Sequence, residues 1–153
     1  MMKRIVIASL TALMLGTLPT AHEANRVLAQ ADDPALPKAF KATPLLKTTQ
    51  TASKMPIEYP KVGKAEIVSV VAELEPGGRT ALHQHPVPVF VYVLDGTLTV
   101  QAQGGEPREY RPGQAFIEDV NHWHQAFNRG STPVKILVVF TGEEGKPTTI
   151  NAK

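Results

Sequence analysis

Residues 82–96 read LHQHPVPVFVYVLDG. His83 and His85 stand two apart at the head of a run rich in β-branched residues, and Asp95-Gly96 closes it. Side chains alternate between the two faces of an extended strand, so residues at i and i+2 point the same way. His83 and His85 therefore share a face, and Val87, Val89, Val91 and Val93 share it with them, which turns Phe90 and Tyr92 outward. Pro86 and Pro88 each lack an amide donor and confine this part of the chain to a sheet edge or a bend. Asp-Gly between two apolar runs predicts a two-residue type I′ hairpin, whose central positions both need positive φ.

Working outward, the chain from residue 65 onward is a series of short apolar runs broken by turn residues. Strands are predicted at 65–74, 81–85, 89–94, 97–103, 108–110, 114–118, 122–128 and 134–141, with Gly77, Gly96 and Gly113 at turn backbone positions. No 12-residue window carries a 3.6-residue apolar period, so helices are not expected. The pattern predicts an all-β fold, an antiparallel sandwich or barrel. Residues 90–94 and 134–140 are apolar at nearly every position, and a strand apolar on both faces must be covered on both. In one small barrel the outer cover would come from a second copy, so a homodimer through an outer sheet face is expected.

Residues 32–64 are expected to form an extended N-terminal arm ahead of a barrel domain at 65–153. Pro34, Pro37, Pro44, Pro56 and Pro60 exclude a long helix there, and Leu45-Leu46 and Met55-Pro-Ile57 are the apolar pieces able to add edge strands or reach a second subunit. Residues 1–31 read as a signal peptide: Lys3 and Arg4 precede an uncharged, largely apolar run of 14 residues, 5–18, short of the ~20 that a spanning helix needs. Cleavage is expected after Ala29 or Ala31, giving a secreted or periplasmic protein with no membrane span after processing. Without that segment the 16 basic side chains lose Lys3, Arg4 and Arg26 and the 14 acidic ones lose Glu23, leaving 13 of each. A net charge of zero gives no reason to expect nucleic acid as a partner.

The sequence has no cysteine, which excludes disulfides, thiolate-ligated metals and thiol nucleophiles. Beyond residue 31 the histidines are His83, His85, His122 and His124, two His-x-His pairs, each able to aim two imidazoles at one point. Imidazole is a good ligand for many divalent ions, and three imidazoles leave positions open for water or substrate.

These residues also carry a family resemblance. Gly77, five residues, His83-Gln-His85, three residues, Val89, six residues and Gly96 resemble the first conserved motif of the cupin superfamily, with Val89 where the family usually has glutamate. Gly113, five residues, Asp119-x-Asn121, two residues, His124, three residues and Asn128 resemble the second, with Asp119 and Asn121 where proline and glycine are common. The resemblance, over residues 65–141, implies a jelly-roll or double-stranded β-helix barrel with metal ligands at His83, His85 and His124 on its inside. The cofactor would be a divalent cation among Fe, Mn, Zn, Ni, Co and Cu, and the partner a small-molecule ligand or substrate.

A centre with no carboxylate keeps the ion's full charge and an extra open site, the pattern within this superfamily of three-histidine oxygenases acting on small oxygen-bearing or aromatic compounds. The alternative is a non-catalytic sensor or carrier that holds a small molecule or a metal. Glu118 shares parity with His124, but the turn-like residues 119–121 break the phase between them, and a surface or turn role is expected for it. His122 is the weak catalytic candidate, as a rim acid/base or a fourth nitrogen ligand. Trp123 and Phe127 are expected to pack in the core.

Overall fold

The structure, a computed structural model, describes residues 42–153; residues 1–41, with the leader and the first part of the arm, lie outside the described residues. Among the described residues nine strands follow one another: β1 (Ala65–Leu74), β2 (His83–Gln84), β3 (Val89–Asp95), β4 (Leu98–Ala102), β5 (Arg108–Tyr110), β6 (Ala115–Ile117), β7 (His124–Asn128), β8 (Val134–Glu143) and β9 (Ile150–Asn151). They form a four-stranded sheet in the order β1-β8-β3-β6 and a five-stranded sheet in the order β5-β4-β7-β2-β9, antiparallel throughout. This is the expected all-β jelly roll. Among the described residues no helix is long and apolar enough to cross a membrane.

The inner faces follow the parity of the sequence. Val89, Val91 and Val93 of β3 are 0–1% exposed and pack with Leu98, Phe116, Ala126, Val134, Ile136 and Val138 between the sheets. Asn128, also buried, donates through Nδ2 to the carbonyls of Leu74 and Thr132, both 2.8 Å away, and so fastens the end of β7 to the turn before β8. Phe90, Tyr92, Leu137 and Val139 lie on the outer face of the four-stranded sheet, half-buried, and β1 ends that sheet with Ile67 and Val71 64% and 58% exposed.

The hairpin expected at Asp95-Gly96 is not there. β3 belongs to one sheet and β4 to the other, so Asp95-Gly96 carries the chain between sheets instead of turning it back on its neighbour. Of the two residues only Gly96 has positive φ (71°), and its amide donates to Asp95 Oδ1 at 2.8 Å. A side chain at 96 would put its Cβ 2.6 Å from the Pro133 carbonyl oxygen and 2.9 Å from Val134 Cα. Asp-Gly in this chain thus marks a close crossing against the start of β8. Gly77 and Gly113 have φ of 75° and 87° and serve turns as expected.

Two segments gain structure that periodicity does not reveal. In the described part of the arm Gln50 bridges to Pro56, and Ala52 N donates to Ile117 O at 2.8 Å, so the arm covers the free edge of β6 within its own domain. At the other end β9 pairs with β2, His83 opposite Asn151.

Candidate metal centre

His83 of β2 lies directly opposite His124 of β7 in the ladder, and His85 follows where β2 leaves the sheet toward Pro86. One ring nitrogen from each of the three lies within 4.8 Å of the others, and the ring centroids are 4.4–5.2 Å apart. His85 and His124 are 3% and 4% exposed; His83 is half-buried at the mouth of the cluster.

All three rings are held in the same sense. Nδ1 of His83 sits 2.8 Å from the Ala81 carbonyl oxygen, that of His85 2.8 Å from Thr148 O, and that of His124 2.9 Å from His122 O. A carbonyl can only accept, so each Nδ1 carries the proton and donates it outward, which leaves each neutral ring with a lone pair on Nε2. Such a backbone clamp on the far nitrogen is how metal-ligating histidines are oriented. The strap of residues behind β9 that supplies Thr148 was not foreseen, since Thr148 has no sequence signal beyond its position.

Glu118 corrects the sequence reading. Expected at the surface or in a turn, it is turned inward beside the rings with its side chain only 10% exposed, Oε2 3.1 Å from His85 Nε2 and Oε1 3.4 Å from His124 Nε2. The decisive parity was that of its own strand: Phe116 on β6 is 5% exposed in the core, and 118 faces the same way. The turn at 119–121, with Asn121 at φ 57°, comes after Glu118 and does not alter where it points.

The electrostatics of this group are those of a site built for a cation. Burial works against ionisation of Glu118, but the hydrogen bonds and charges of His124 and His85 outweigh it and bring its pKa to about 2. Burial likewise disfavours protonated His124, yet the Glu118 carboxylate raises its pKa above the ordinary value. His83 moves the other way, lowered chiefly by burial. His124 Nε2 is buried, and when neutral it meets the Glu118 carboxylate 3.4 Å away lone pair to lone pair. A carboxylate and three inward imidazole lone pairs are all acceptors, and acceptors converge only around a positive charge. A divalent ion meets that need, and the residues present fit one.

A small cavity of about 60 Å³ adjoins the centre. Glu118 and His124 form the wall nearest the rings, with Arg108, Tyr110 and Phe116 among the other lining side chains. Tyr110 stacks on Phe116 at 3.8 Å, and burial raises its pKa, so the phenol stays protonated. His122 also lines the cavity but is exposed, its Nδ1 2.8 Å from Val120 O, and it does not join the three-ring cluster. Asp119 turns to the arm, accepting from Ser53 N at 3.2 Å; burial opposes its ionisation, but the Ser53 and Thr51 bonds keep its pKa below the usual carboxylate value. Trp123, just before β7, and Phe127, within it, are half-buried and stand outside the core cluster in which they were expected, Phe127 lying under the Arg129 guanidinium.

Residues 70–140 match a family model described as the cupin domain. That stretch is a cupin domain. Among curated proteins the chain is similar to an (R)-mandelonitrile lyase from Granulicella tundricola, 36% identical over 64 residues, which cover 40% of this chain and 49% of that protein. The chain thus spans about half the length of the curated relative it matches. Among solved structures it is similar to a Klebsiella pneumoniae protein with a double-stranded β-helix domain, with a TM-score of 0.50 and 22% identity over 61% of this chain and 89% of that one. It is also similar to the polyketide cyclase RemF from Streptomyces resistomycificus, with a TM-score of 0.50 and 25% identity over 60% and 63% of the two chains.

Proposed function

We propose that this cupin is a metal-dependent enzyme acting on a small oxygen-bearing compound, with one divalent ion held by His83, His85 and His124. The observation that carries the reading is the common clamping of the three rings, each with Nδ1 donating to a backbone carbonyl 2.8–2.9 Å away and Nε2 left to ligate. A bound ion would supply Lewis acidity toward a hydroxyl or carbonyl oxygen. The cavity beside the centre is small, which favours a small compound. Arg108 and the protonated Tyr110 offer donors to an oxygen-rich ligand, and Phe116 offers an apolar wall. His122 at the rim is the group placed to exchange a proton with solvent.

Similarity to the lyase favours carbon–carbon cleavage of a small hydroxynitrile over oxygenation. The carboxylate beside the rings points the same way, because the oxygenase expectation rested on a centre without one. Export, on the strength of residues 1–31, would place the activity outside the cytoplasm. Two copies would pair through the outer apolar face of the four-stranded sheet, where Ile67 and Val71 stand exposed on the free edge strand.

The test is metal analysis of full-length protein purified without tag or chelator, followed by two assays on metal-loaded samples. Release of aromatic aldehyde from mandelonitrile is expected, abolished in His124→Ala. Oxygen uptake with diketones, flavonols or catechols, in the absence of aldehyde release, would restore the oxygenase reading. Stoichiometric metal with neither activity would make the protein a carrier or sensor.

A further inference from the structure

The sequence lacks the glutamate that the first motif usually supplies, and Val89 in its place is fully buried with no donor atom. The lost carboxylate has a counterpart one strand away. β3 and β6 pair Phe90 with Ile117 and Val91 with Phe116, and the next step of that register sets Val89 opposite Glu118. The hydrogen bond from Glu118 N to Val89 O, 2.9 Å, continues the ladder to that step. Residues directly opposite on neighbouring antiparallel strands share a face, with Cβ atoms about 4.5–5.5 Å apart. A carboxylate stem at 118 therefore starts from the same barrel wall, toward the same rings, as one at 89 would.

The donor spacings fit a shared ion. Ligands about 2.1 Å from one metal lie roughly 3.0 Å apart at octahedral angles and roughly 3.4 Å at tetrahedral angles. The two Glu118 oxygens stand 3.1 and 3.4 Å from the nearest imidazole Nε2 atoms. Both of those nitrogens face the carboxylate with lone pairs when neutral, since their Nδ1 protons go to Thr148 O and His122 O. Three acceptors held at that spacing leave one place between them for a positive charge.

We propose that Glu118 is the carboxylate ligand of this metal centre, entering from the end of β6 in place of the absent glutamate at position 89. The proposal rests on the three-histidine metal reading and adds a fourth protein ligand to it. The centre then has one negative charge of its own, so an incoming ligand need not be an anion to balance the ion, which accords with a neutral hydroxyl compound as substrate.

The experiment uses the full-length chain and compares wild type, His83→Ala, Glu118→Ala, Glu118→Gln and the double variant Glu118→Ala/Val89→Glu. Zn²⁺ affinity is measured by chelator competition, and the ligand set is read from the Co²⁺ absorption spectrum. Circular dichroism and melting of the metal-free proteins identify any variant that does not fold. Glu118→Ala should bind Zn²⁺ at least about a hundredfold more weakly, beyond the range typical of losing a group that only orients a ligand. Its Co²⁺ bands should shift, and the double variant should recover most of both. Glu118→Gln, which keeps the shape and one oxygen, should fall between. Zn²⁺ affinity of folded Glu118→Ala within about threefold of wild type, alongside a loss in His83→Ala, would overturn the proposal and leave the three-histidine centre standing. Failure of wild type itself to bind metal would overturn both.

Discussion

The two sheets of this barrel use one parity rule for opposite ends. The inner face of the five-stranded sheet spends its central positions on His83 and His124, polar rings held by backbone carbonyls outside the cluster. The inner face of the four-stranded sheet is Val89, Val91, Val93, Ile136 and Val138, and its outer face is apolar as well. Glu118 is the exception, a single carboxylate at the end of β6 that faces the imidazoles across the barrel. The apolar sheet supplies rigidity, which the polar sheet needs because rings held to a few tenths of an ångström ligate far better than mobile ones. Stability and chemistry are thus divided between the walls, and the division can be attacked at three places.

The largest effect is expected at the crossing between the sheets. Gly96→Ala must adopt a φ near 71° and place a methyl group 2.6 Å from Pro133 O and 2.9 Å from Val134 Cα and Cγ2, and the first two of these are backbone atoms that cannot swing away. Backbone strain and overpacking each cost about 1–3 kcal/mol, so a total of roughly 3–5 kcal/mol is expected in urea unfolding. An effect below about 1 kcal/mol would mean that the two walls can shift against each other more freely than a packed barrel allows.

This position also shows what was legible and what was not. The succession of strands, the inward valines and the shared face of His83 and His85 follow from alternation, which is written directly into residues 82–93, whereas His124 joins them through the resemblance of the second motif. Asp95-Gly96 announced a turn, but its type depends on which strand comes next in the sheet, and that pairing is non-local. Glu118 was missed for a related reason. Its phase was taken across the 119–121 turn from His124, whereas the informative neighbour was Phe116 within the same strand and the informative partner was Val89, visible only in the register. The Thr148 clamp on His85 belongs to a segment whose strand, Ile150–Asn151, is too short to carry any period.

The second effect separates the walls by pH. Without metal, Glu118 has its pKa lowered to about 2, so its contribution to stability is complete above its ordinary value near 4.5 and is lost as pH falls from there toward 2. His124 has its value raised, so its contribution is complete below 6.5 and is lost as pH climbs through the raised value. The metal-free Glu118–His124 pair is therefore most stabilising between about pH 4.5 and 6.5, while His83, whose value is lowered, adds a contribution that is complete above 6.5 and is lost as pH falls below it. Metal reverses the upper limb, because the rings must give up their protons to ligate. At an ion concentration a hundredfold above Kd the gain is about 2.7 kcal/mol, growing with pH through neutrality. Urea midpoints from pH 3 to 8, with and without Zn²⁺, should coincide at the acid end and separate as pH rises, the Zn²⁺ curve lying above; parallel curves would contradict ligation by histidine. Val91→Ala, on the apolar wall, should lower both curves without changing their shape.

The smallest effect on the fold is expected on the outer face of the apolar sheet, where its meaning is quaternary. Ile67 and Val71 are 64% and 58% exposed on β1, whose outer edge has no strand beside it among the described residues. Exposed apolar positions on an edge strand are what sheet proteins avoid unless something covers them. Replacing both by lysine removes little buried area within one chain, so the unfolding free energy of the isolated subunit should move by no more than about 0.5 kcal/mol. Two like charges on each copy would instead face their counterparts across a dimer formed through this sheet. Sedimentation at micromolar concentration should then show wild type as a dimer and the double variant as a monomer, with Zn²⁺ affinity unchanged because the metal wall lies on the other side of the valine layer. A wild-type monomer would leave the apolar outer face without a copy of itself as its cover, and weakened metal binding in the lysine variant would show that the two walls are less independent than their side chains suggest.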